Sequence, residues 1–196
     1  MILPIVAYGD PVLRKQCKDI SKAYPNLDVL LENMYETMYG ASGVGLAAPQ
    51  IGLPIRIFLV DASPFADKDT MDAQELAQVE EFKKTFINAT ILEEQGEDFA
   101  FNEGCLSIPD VREDVFRKPD ITIEYYDESF TKHTKKYTGI IARIIQHEYD
   151  HIEGILFTDK LSSLKKRILK GRLTSISKGK ATADYRMRFP NAKKKR

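Results

Sequence analysis

Two histidines and one glutamate near residue 150 follow the pattern His-Glu-x-x-His. His147 and His151 are four residues apart, so on an α-helix both side chains lie on one face, one turn apart. Two imidazoles in that arrangement can hold one metal ion, and Glu148 beside them can act as a base. The chain has three histidines, and two of them fall in this pattern. The sequence around the motif is needed to distinguish a metal site from a chance occurrence of the pattern.

The residues around the motif predict a helix from Gly139 to about Gly154. Two adjacent stripes carry the isoleucines together with the candidate metal residues: Ile140, Ile144, His147 and His151 on one, and Ile141, Ile145, Glu148 and Ile152 on the other. A third stripe, which we expect to face solvent, carries Arg143, Gln146, Asp150 and Glu153. The histidines and the glutamate then point into the core, where an unpartnered polar group is costly and a metal supplies a partner.

Two histidines do not complete a metal site, and two positions compete as the third ligand. The zinc-peptidase pattern His-Glu-x-x-His-x-x-Gly-x-x-His fails here, because its last position is Phe157. Upstream, Cys105 offers a thiolate, and one thiolate with two imidazoles suits a first-row transition metal. Three protein ligands leave a position for water, as in catalytic zinc sites. For Cys105 taken alone, a buried apolar role is the commoner outcome.

The elements that position these residues are predicted from apolar spacing and from turn residues. Helices are predicted from Pro11 to Cys17, from Pro25 to about Tyr39, over 72–84, and around Leu161, Leu164 and Ile168. Strands are predicted over 55–61 and 85–92, and a hairpin over 121–126 and 131–137. Residues 40–54 contain four glycines and predict a loop, in which small residues let the backbone approach a ligand closely.

The composition suits one globular domain with a sizeable core. Of the 196 residues, 43% are hydrophobic and 30% are charged. The longest uncharged run, from Thr37 to Ile55, is rich in glycine and proline and predicts no membrane helix. The N-terminal residues show no signal peptide. The two cysteines, Cys17 and Cys105, argue against a disulfide framework and for a reducing cytoplasm.

Charge is distributed unevenly along the chain, although the net charge is zero. Residues 160–196 hold 14 Lys or Arg and one acid, which gives +13, and residues 1–159 carry −13. We therefore divide the chain into a folded domain over 1–172 and a basic C-terminal extension over 173–196. The extension either contacts an anionic partner or is a solvated tail. It has few apolar residues, so we expect it to gain little by packing.

Three segments together resemble the signature motifs of peptide deformylases. They are Gly43-Val-Gly-Leu-Ala-Ala-Pro-Gln50, Glu103-Gly-Cys-Leu-Ser107 and Gln146-His-Glu-Tyr-Asp-His151. Each segment alone is weak to moderate evidence for this family, whereas all three segments in this order and spacing are highly specific for it. The resemblance implies an α+β fold with antiparallel strands packed around a central metal-binding helix. It also implies metal-dependent hydrolysis of the formyl group from N-formylmethionyl nascent polypeptides, with release of formate.

The resemblance assigns roles to residues of these segments. Cys105, His147 and His151 would hold one Fe²⁺, although purified members of the family often carry Zn²⁺, Ni²⁺ or Co²⁺. Such an ion lowers the pKa of a bound water, and Glu148 would take the proton of that water and return it to the leaving amine. Gln50 and the Leu106 N–H would be catalytic together with Glu148, since both would donate to the developing oxyanion. The substrate-binding positions would be Gly45 on the peptide backbone and Val44, Ile140 and Ile144 around the methionine side chain.

Two other classes of protein remain open. A zinc endopeptidase uses the same His-Glu-x-x-His chemistry, but Cys105 and Phe157 argue against it. A non-catalytic ribosome-associated module with a structural metal would need neither Glu148 nor Gln50. For the deformylase we expect N-formylmethionyl peptides as substrate, a ribosome contact through the basic extension, no membrane and no sequence-specific nucleic-acid binding. We expect a bacterial cytoplasmic protein, since no transit peptide for an organelle is seen.

Overall fold

The computed structural model describes residues 1–191, and within them the chain forms four α-helices and nine strands. The α-helices are α1 (Leu27–Gly40), α2 (Ala73–Glu80), α3 (Gly139–Ile152) and α4 (Ser163–Ser177). The strands are β1 (Ile5–Val6), β2 (Gly45–Ala47), β3 (Ile57–Asp61), β4 (Lys83–Gln95), β5 (Phe99–Cys105), β6 (Ile108–Arg117), β7 (Asp120–Tyr126), β8 (Lys132–Thr138) and β9 (Met187–Arg188). Short 3-10 helices cover Pro11–Arg14, Ala48–Ile51, Ser63–Phe65 and Phe157–Lys160. None of the helices in this range has the length and apolar character needed to cross a bilayer.

Five antiparallel strands form the main sheet, in the order β2-β3-β4-β7-β8. Strands β5 and β6 form a separate antiparallel hairpin, and β1 pairs in parallel with β9. Helix α3 lies between the main sheet and the hairpin. It packs against β2 and β3 on one side, and its Arg143 side chain reaches backbone carbonyls of the hairpin on the other. The predicted α+β class, with antiparallel strands around a central helix, is confirmed.

The isoleucines of α3 form the core beneath the main sheet. Ile141, Ile145 and Ile152 belong to the same buried cluster as Phe58 and Phe86, whose rings stack 4.7 Å apart. Each large apolar side chain that is fully buried contributes about 1.5–3 kcal/mol, so this face fixes the helix against the sheet. The helix has the bounds that the apolar spacing predicts.

The prediction that the third stripe of α3 faces solvent is wrong. Arg143, Gln146 and Asp150 are only 2%, 2% and 7% exposed. Arg143 and Asp150 form ion pairs with Glu103 and Arg117 of the β5–β6 hairpin. The spacing of charged residues along one helix carries no information about a second layer that covers it. A charged stripe that is paired across an interface therefore has the same sequence pattern as a solvated one.

The prediction of a loop over 40–54 is wrong for the middle of that segment. Gly45–Ala47 forms strand β2 at the edge of the main sheet, opposite residues 58–60 of β3, and Ala48–Ile51 forms a 3-10 helix. These small residues are buried because the segment packs directly against α3. Gly52 ends the 3-10 helix in a left-handed conformation with φ of 90°, which favours glycine.

The other predicted elements are present, with changed bounds. The helix predicted from Pro11 to Cys17 is a 3-10 helix that ends at Arg14, and Cys17 is buried as a packed side chain. Helix α2 begins after Asp72, whose side chain accepts hydrogen bonds from two backbone N–H groups. The hairpin β7–β8 is confirmed. The β5–β6 hairpin, which carries Cys105, was not predicted from the sequence.

Helix α4 buries a different face from the one predicted. Leu164 and Ile168 are 65% and 70% exposed, whereas Leu173 and Ile176 are buried in a core cluster with Phe157. The buried contacts therefore lie toward the C-terminal end of the helix. Because α4 continues to Ser177, the predicted boundary between residues 172 and 173 falls inside it.

Residues 178–191 pack on the rest of the protein. Met187 and Arg188 pair with Ile5 and Val6, and Phe189 lies against the same core cluster as α4. The side chains from 182 to 188 alternate between exposed and partly buried, as in an edge strand. The expectation that the basic extension gains little by packing is therefore wrong up to residue 191. Its last part, residues 192–196, lies outside the described residues.

Candidate metal centre and active site

The side chains of Cys105, His147 and His151 meet where the end of β5 faces α3. One ligand atom from each lies within 4.8 Å of the others, and Cys105 Sγ is 3.2 Å from His151 Nε2. The hairpin register shifts between Gly104 and Cys105, and this irregularity places Cys105 at the turn beside the helix. The three residues predicted as metal ligands are thus brought together.

The donor set fits a transition-metal ion. A thiolate at about 2.3 Å and an imidazole at about 2.0 Å from one ion lie roughly 3.0–3.5 Å apart for bond angles between square and tetrahedral, and the Cys105–His151 distance of 3.2 Å falls in that range. Burial lowers the pKa of His151 well below its ordinary value, and the charge of His147 lowers it further. This direction favours the neutral imidazole, which is the form that binds a metal.

Glu103 orients the second histidine. Its Oε2 lies 2.9 Å from His147 Nδ1, which leaves His147 Nε2 for the metal. Arg117 donates to both oxygens of Glu103, at 2.7 and 3.0 Å, and Arg143 donates to Oε1 at 3.0 Å. Burial alone would raise the pKa of Glu103, but the hydrogen bonds from His147 and Arg117 hold it well below its ordinary range. Glu103 is therefore a carboxylate that fixes the ring of His147.

Arg117 extends this buried network to Asp150, with Arg117 Nη1 2.7 Å from Asp150 Oδ2. No role in the site was predicted for Glu103, Arg117, Arg143 or Asp150. Glu103 lies within one of the three motif segments, two residues before Cys105. This position was the one feature of the sequence that could have indicated a role for Glu103 in the site. No local pattern marks the two arginines as its partners, since they lie 14 and 40 residues away.

Glu148 is buried next to the candidate ligands. It is 4% exposed, and its Oε2 has no hydrogen-bond partner within residues 1–191. Burial raises the pKa of Glu148 to about 7, against the opposing effect of the charge on His147. A carboxyl group with this pKa can change its protonation state near neutral pH. Its position and its pKa both suit a group that takes up and returns a proton.

Gln50 lies next to Cys105 and is 1% exposed. Its Oε1 accepts a hydrogen bond of 2.8 Å from the Ala47 N–H. This bond directs the amide nitrogen toward Cys105 Sγ and Ser107 Oγ, at 3.6 and 3.4 Å. The side-chain N–H groups of Gln50 therefore point into the site.

A cavity of about 840 Å³ opens above these side chains. Most of the residues predicted to act in the site line it: Val44, Gly45, Gln50, Cys105, Leu106, Ile144, His147 and Glu148. Ile140 and His151 do not line it, and Ile140 packs against the core cluster that contains Ile144. Phe65 and Phe101 also line the cavity, with ring centroids 5.9 Å apart, and neither was predicted.

The position that a zinc peptidase would use for its third histidine is closed. Phe157 is 1% exposed and packs in the core, with its ring centroid 6.1 Å from that of His147. The cluster of one thiol, two imidazoles and a buried carboxylate at an open cavity is instead the arrangement expected of a metal-dependent hydrolase, with Cys105 as the candidate third ligand.

Known proteins identify the family within this class. The family model of polypeptide deformylases matches residues 2–167. A peptide deformylase of Christiangramia forsetii is 65% identical over 196 residues, which is the whole of both chains. One of Flavobacterium psychrophilum is 65% identical over 96% of this chain and 97% of its own. The crystal structure of a peptide deformylase from Legionella pneumophila has a TM-score of 0.75 at 32% identity, over 89% of this chain and 95% of that chain.

The chain belongs to the polypeptide deformylase family. Members of this family are metal-dependent hydrolases that remove the N-formyl group from nascent polypeptides. The activity implied by the three motifs is therefore confirmed, and the endopeptidase and the non-catalytic module are set aside.

Proposed function

We propose that Cys105, His147 and His151 hold one metal ion and that Glu148 moves the protons during deformylation. The observation that carries this proposal is the buried Glu148 carboxyl, which has no partner for Oε2 within the described residues and lies next to three converging donors. A metal with a purely structural role would not need this carboxyl, which is costly to bury.

The metal is ferrous iron in this proposal, and Zn²⁺, Ni²⁺ or Co²⁺ can occupy the same donors. An ion held by these three residues would supply Lewis-acid chemistry, which makes a water molecule easier to deprotonate near neutral pH. Glu103 accepts the hydrogen bond from His147 Nδ1 and so favours the tautomer whose Nε2 is free to bind a metal.

Glu148 takes a proton from the attacking water and returns it to the amine of the methionine as the C–N bond breaks. The products are formate and a free N-terminus, so the carboxyl ends in the state in which it began. A pKa of about 7 suits both transfers.

The formyl oxygen gains negative charge as water attacks. The Gln50 side-chain amide and the Leu106 backbone N–H donate to this oxygen in our proposal, and Gln50 is held ready by its bond from Ala47. A donor of this kind contributes about 10²–10³-fold to turnover. The fixed orientation matters because no reorganisation is then needed during the reaction.

The methionine side chain occupies the apolar part of the cavity. Val44 and Ile144 line it, and the rings of Phe65 and Phe101 extend the apolar surface. Ile140 supports this wall from the core cluster behind Ile144. The backbone at Gly45 pairs with the peptide backbone of the substrate.

The test of this function uses protein purified without oxygen and a formyl-Met-Ala substrate. Glu148→Ala should keep its metal and its fold but lose about 10²–10⁴-fold in formate release. Metal analysis of the same samples identifies the ion. Activity of Glu148→Ala within a few-fold of wild type would show that another group moves the proton.

We further propose that the enzyme acts in the bacterial cytoplasm on nascent chains at the ribosome, without sequence-specific nucleic-acid binding. The contact is made by the basic extension over 173–196, in which Lys178 and Lys180 are exposed and supply positive charge for RNA phosphate. Reversal of these two charges should weaken co-sedimentation with ribosomes at low salt and leave turnover of short formyl-peptides intact. Unchanged co-sedimentation would show that Lys178 and Lys180 do not make this contact.

A further inference from the structure

The end of the described chain returns to the metal centre. The Ile5 N–H donates to the Arg186 carbonyl and the Ala7 N–H donates to the Arg188 carbonyl, both at 2.9 Å. This pairing of β1 with β9 holds the preceding residues over the cavity, where Thr182 to Tyr185 form part of the wall. A segment more than 30 residues beyond the His-Glu-x-x-His motif therefore contributes to the site.

Tyr185 makes the most specific contact of this segment. Its hydroxyl donates a hydrogen bond of 2.8 Å to the backbone carbonyl of Leu106. Its ring is partly buried against the core cluster that contains Met38 and Leu46. The hydroxyl thus reaches the residue that directly follows the ligand Cys105, while the ring is held by apolar packing.

The turn that carries Leu106 is held from several directions. The Tyr8 N–H donates to the Ser107 carbonyl at 2.8 Å, and Gln50 Nε2 lies 3.4 Å from Ser107 Oγ. The Leu106 side chain fills the space beside Gly43, where a Cβ would lie 2.8 Å from Leu106 Cδ1. The bond from Tyr185 fixes the carbonyl of Leu106 itself.

We propose that Tyr185 is a positioning residue, which orients the backbone of Leu106 so that its N–H meets the formyl oxygen. This inference rests on the proposed function, in which the Leu106 N–H is an oxyanion donor. The carbonyl belongs to the Leu106–Ser107 peptide plane, so the bond from Tyr185 fixes that plane and limits ψ of Leu106. The Leu106 N–H lies across the same Cα, and its direction is limited through this restriction of the Leu106 backbone. Tyr185 acts through Leu106 and is not a catalytic residue.

The test is Tyr185→Phe in the full chain, which removes the hydroxyl and keeps the ring. Tyr35→Phe is the matched control, because Tyr35 OH lies 3.3 Å from Thr85 Oγ1 and does not line the cavity. For formyl-Met-Ala, Tyr185→Phe should lower kcat about three- to tenfold per metal-loaded enzyme, as expected for loss of one hydrogen bond. KM and metal content should stay within twofold of wild type, and Tyr35→Phe should keep the wild-type kcat.

A spectroscopic measurement separates positioning from a purely structural role. In zinc-loaded wild type, the amide resonance of Leu106 should shift when formate binds, and this shift should shrink in Tyr185→Phe. A lower melting temperature with unchanged kcat and an unchanged Leu106 shift would overturn the proposal. So would a loss of activity that follows a loss of metal, since Tyr185 would then act through Cys105.

Two different variants test the positioning role of Tyr185 and the proton transfer by Glu148. Full activity of Glu148→Ala would contradict the proposed proton transfer, whatever the result for Tyr185→Phe. If Glu148→Ala is inactive and Tyr185→Phe has the wild-type kcat, the proposed function stands and the positioning role is wrong.

Discussion

Gly45 lies so close to Glu148 that no side chain fits between them. A Cβ on Gly45 would lie 2.7 Å from both Cγ and Cδ of Glu148, and atoms that are not bonded to each other do not approach so closely without displacement. From the sequence, the glycine is expected to leave room for the substrate backbone. In the structure, the space beside it also holds the candidate base.

Gly45→Ala should therefore displace the carboxyl of Glu148 without removing a metal ligand. A misplacement of about 1 Å can cost on the order of 10²-fold in turnover, and we expect a loss of this size in kcat for formyl-Met-Ala. Gly171→Ala is the control, since a Cβ at Gly171 meets nothing within 4 Å. Equal kcat in the two variants would mean that Glu148 moves aside at no cost or is not the base.

The third ligand is tested by a comparison of the two cysteines. Cys105→Ala should abolish tight metal binding, because it removes one of the three clustered donors. Cys17→Ala should keep its metal: Cys17 is 5% exposed in the core, and burial raises the pKa of its thiol to about 11. Metal content after gel filtration is the measurement. Equal metal content in Cys105→Ala and wild type would contradict the ligand assignment.

The elements that the sequence predicted well are those whose signal is local. The apolar spacing of α3 and the alternation of β7 and β8 are set by residues close together in the chain, and both elements are observed. The candidate metal-binding positions His147 and His151 follow directly from that helix. Cys105, 42 residues upstream of His147, was a candidate from its thiol chemistry, but a buried apolar role was the commoner outcome and only the motif resemblance decided for it.

The features that the sequence could not predict depend on contacts between distant segments. Arg143 has the pattern of a solvated helix position, and its burial follows from pairing with Glu103, 40 residues away. The residues around Tyr185 alternate apolar and polar (Ala183, Tyr185, Met187 and Phe189 against Asp184, Arg186 and Arg188), a strand signal that the excess of positive charge led us to overlook. The contact of Tyr185 with Leu106, 79 residues away, leaves no local mark in the sequence. Such contacts form only after the layers of the fold have assembled. The sequence of one segment therefore does not predict them.

Glu103→Ala should weaken both the fold and the metal site. It would leave Arg117 and Arg143 buried without their shared carboxylate, and a broken buried ion pair costs about 3–5 kcal/mol. Loss of the bond to His147 should lower metal affinity about 10–100-fold.

Urea unfolding and metal titration measure the two effects of Glu103→Ala. Glu113→Ala provides the contrast, because Glu113 pairs with Lys165 at the surface and such pairs contribute about 0–1 kcal/mol. If the two glutamate variants had the same free energy of unfolding, the buried network would not be stabilising.

The methionine slot can be probed by removal of one methyl group from α3. Ile144 lines the cavity and is 5% exposed, so an acidic residue there would leave an unpartnered carboxylate in the core. Ile144→Val is the cleaner change. One buried methylene is worth about 0.8 kcal/mol, so kcat/KM for formyl-Met-Ala should fall about fourfold while metal content stays constant.

Ile145→Val is the matched control, since Ile145 is buried in the same cluster but does not line the cavity. Both variants should lose about 0.5–1.5 kcal/mol of stability, and only Ile144→Val should lose activity. An equal decline of kcat/KM in both would place Ile144 in the core rather than in the methionine slot.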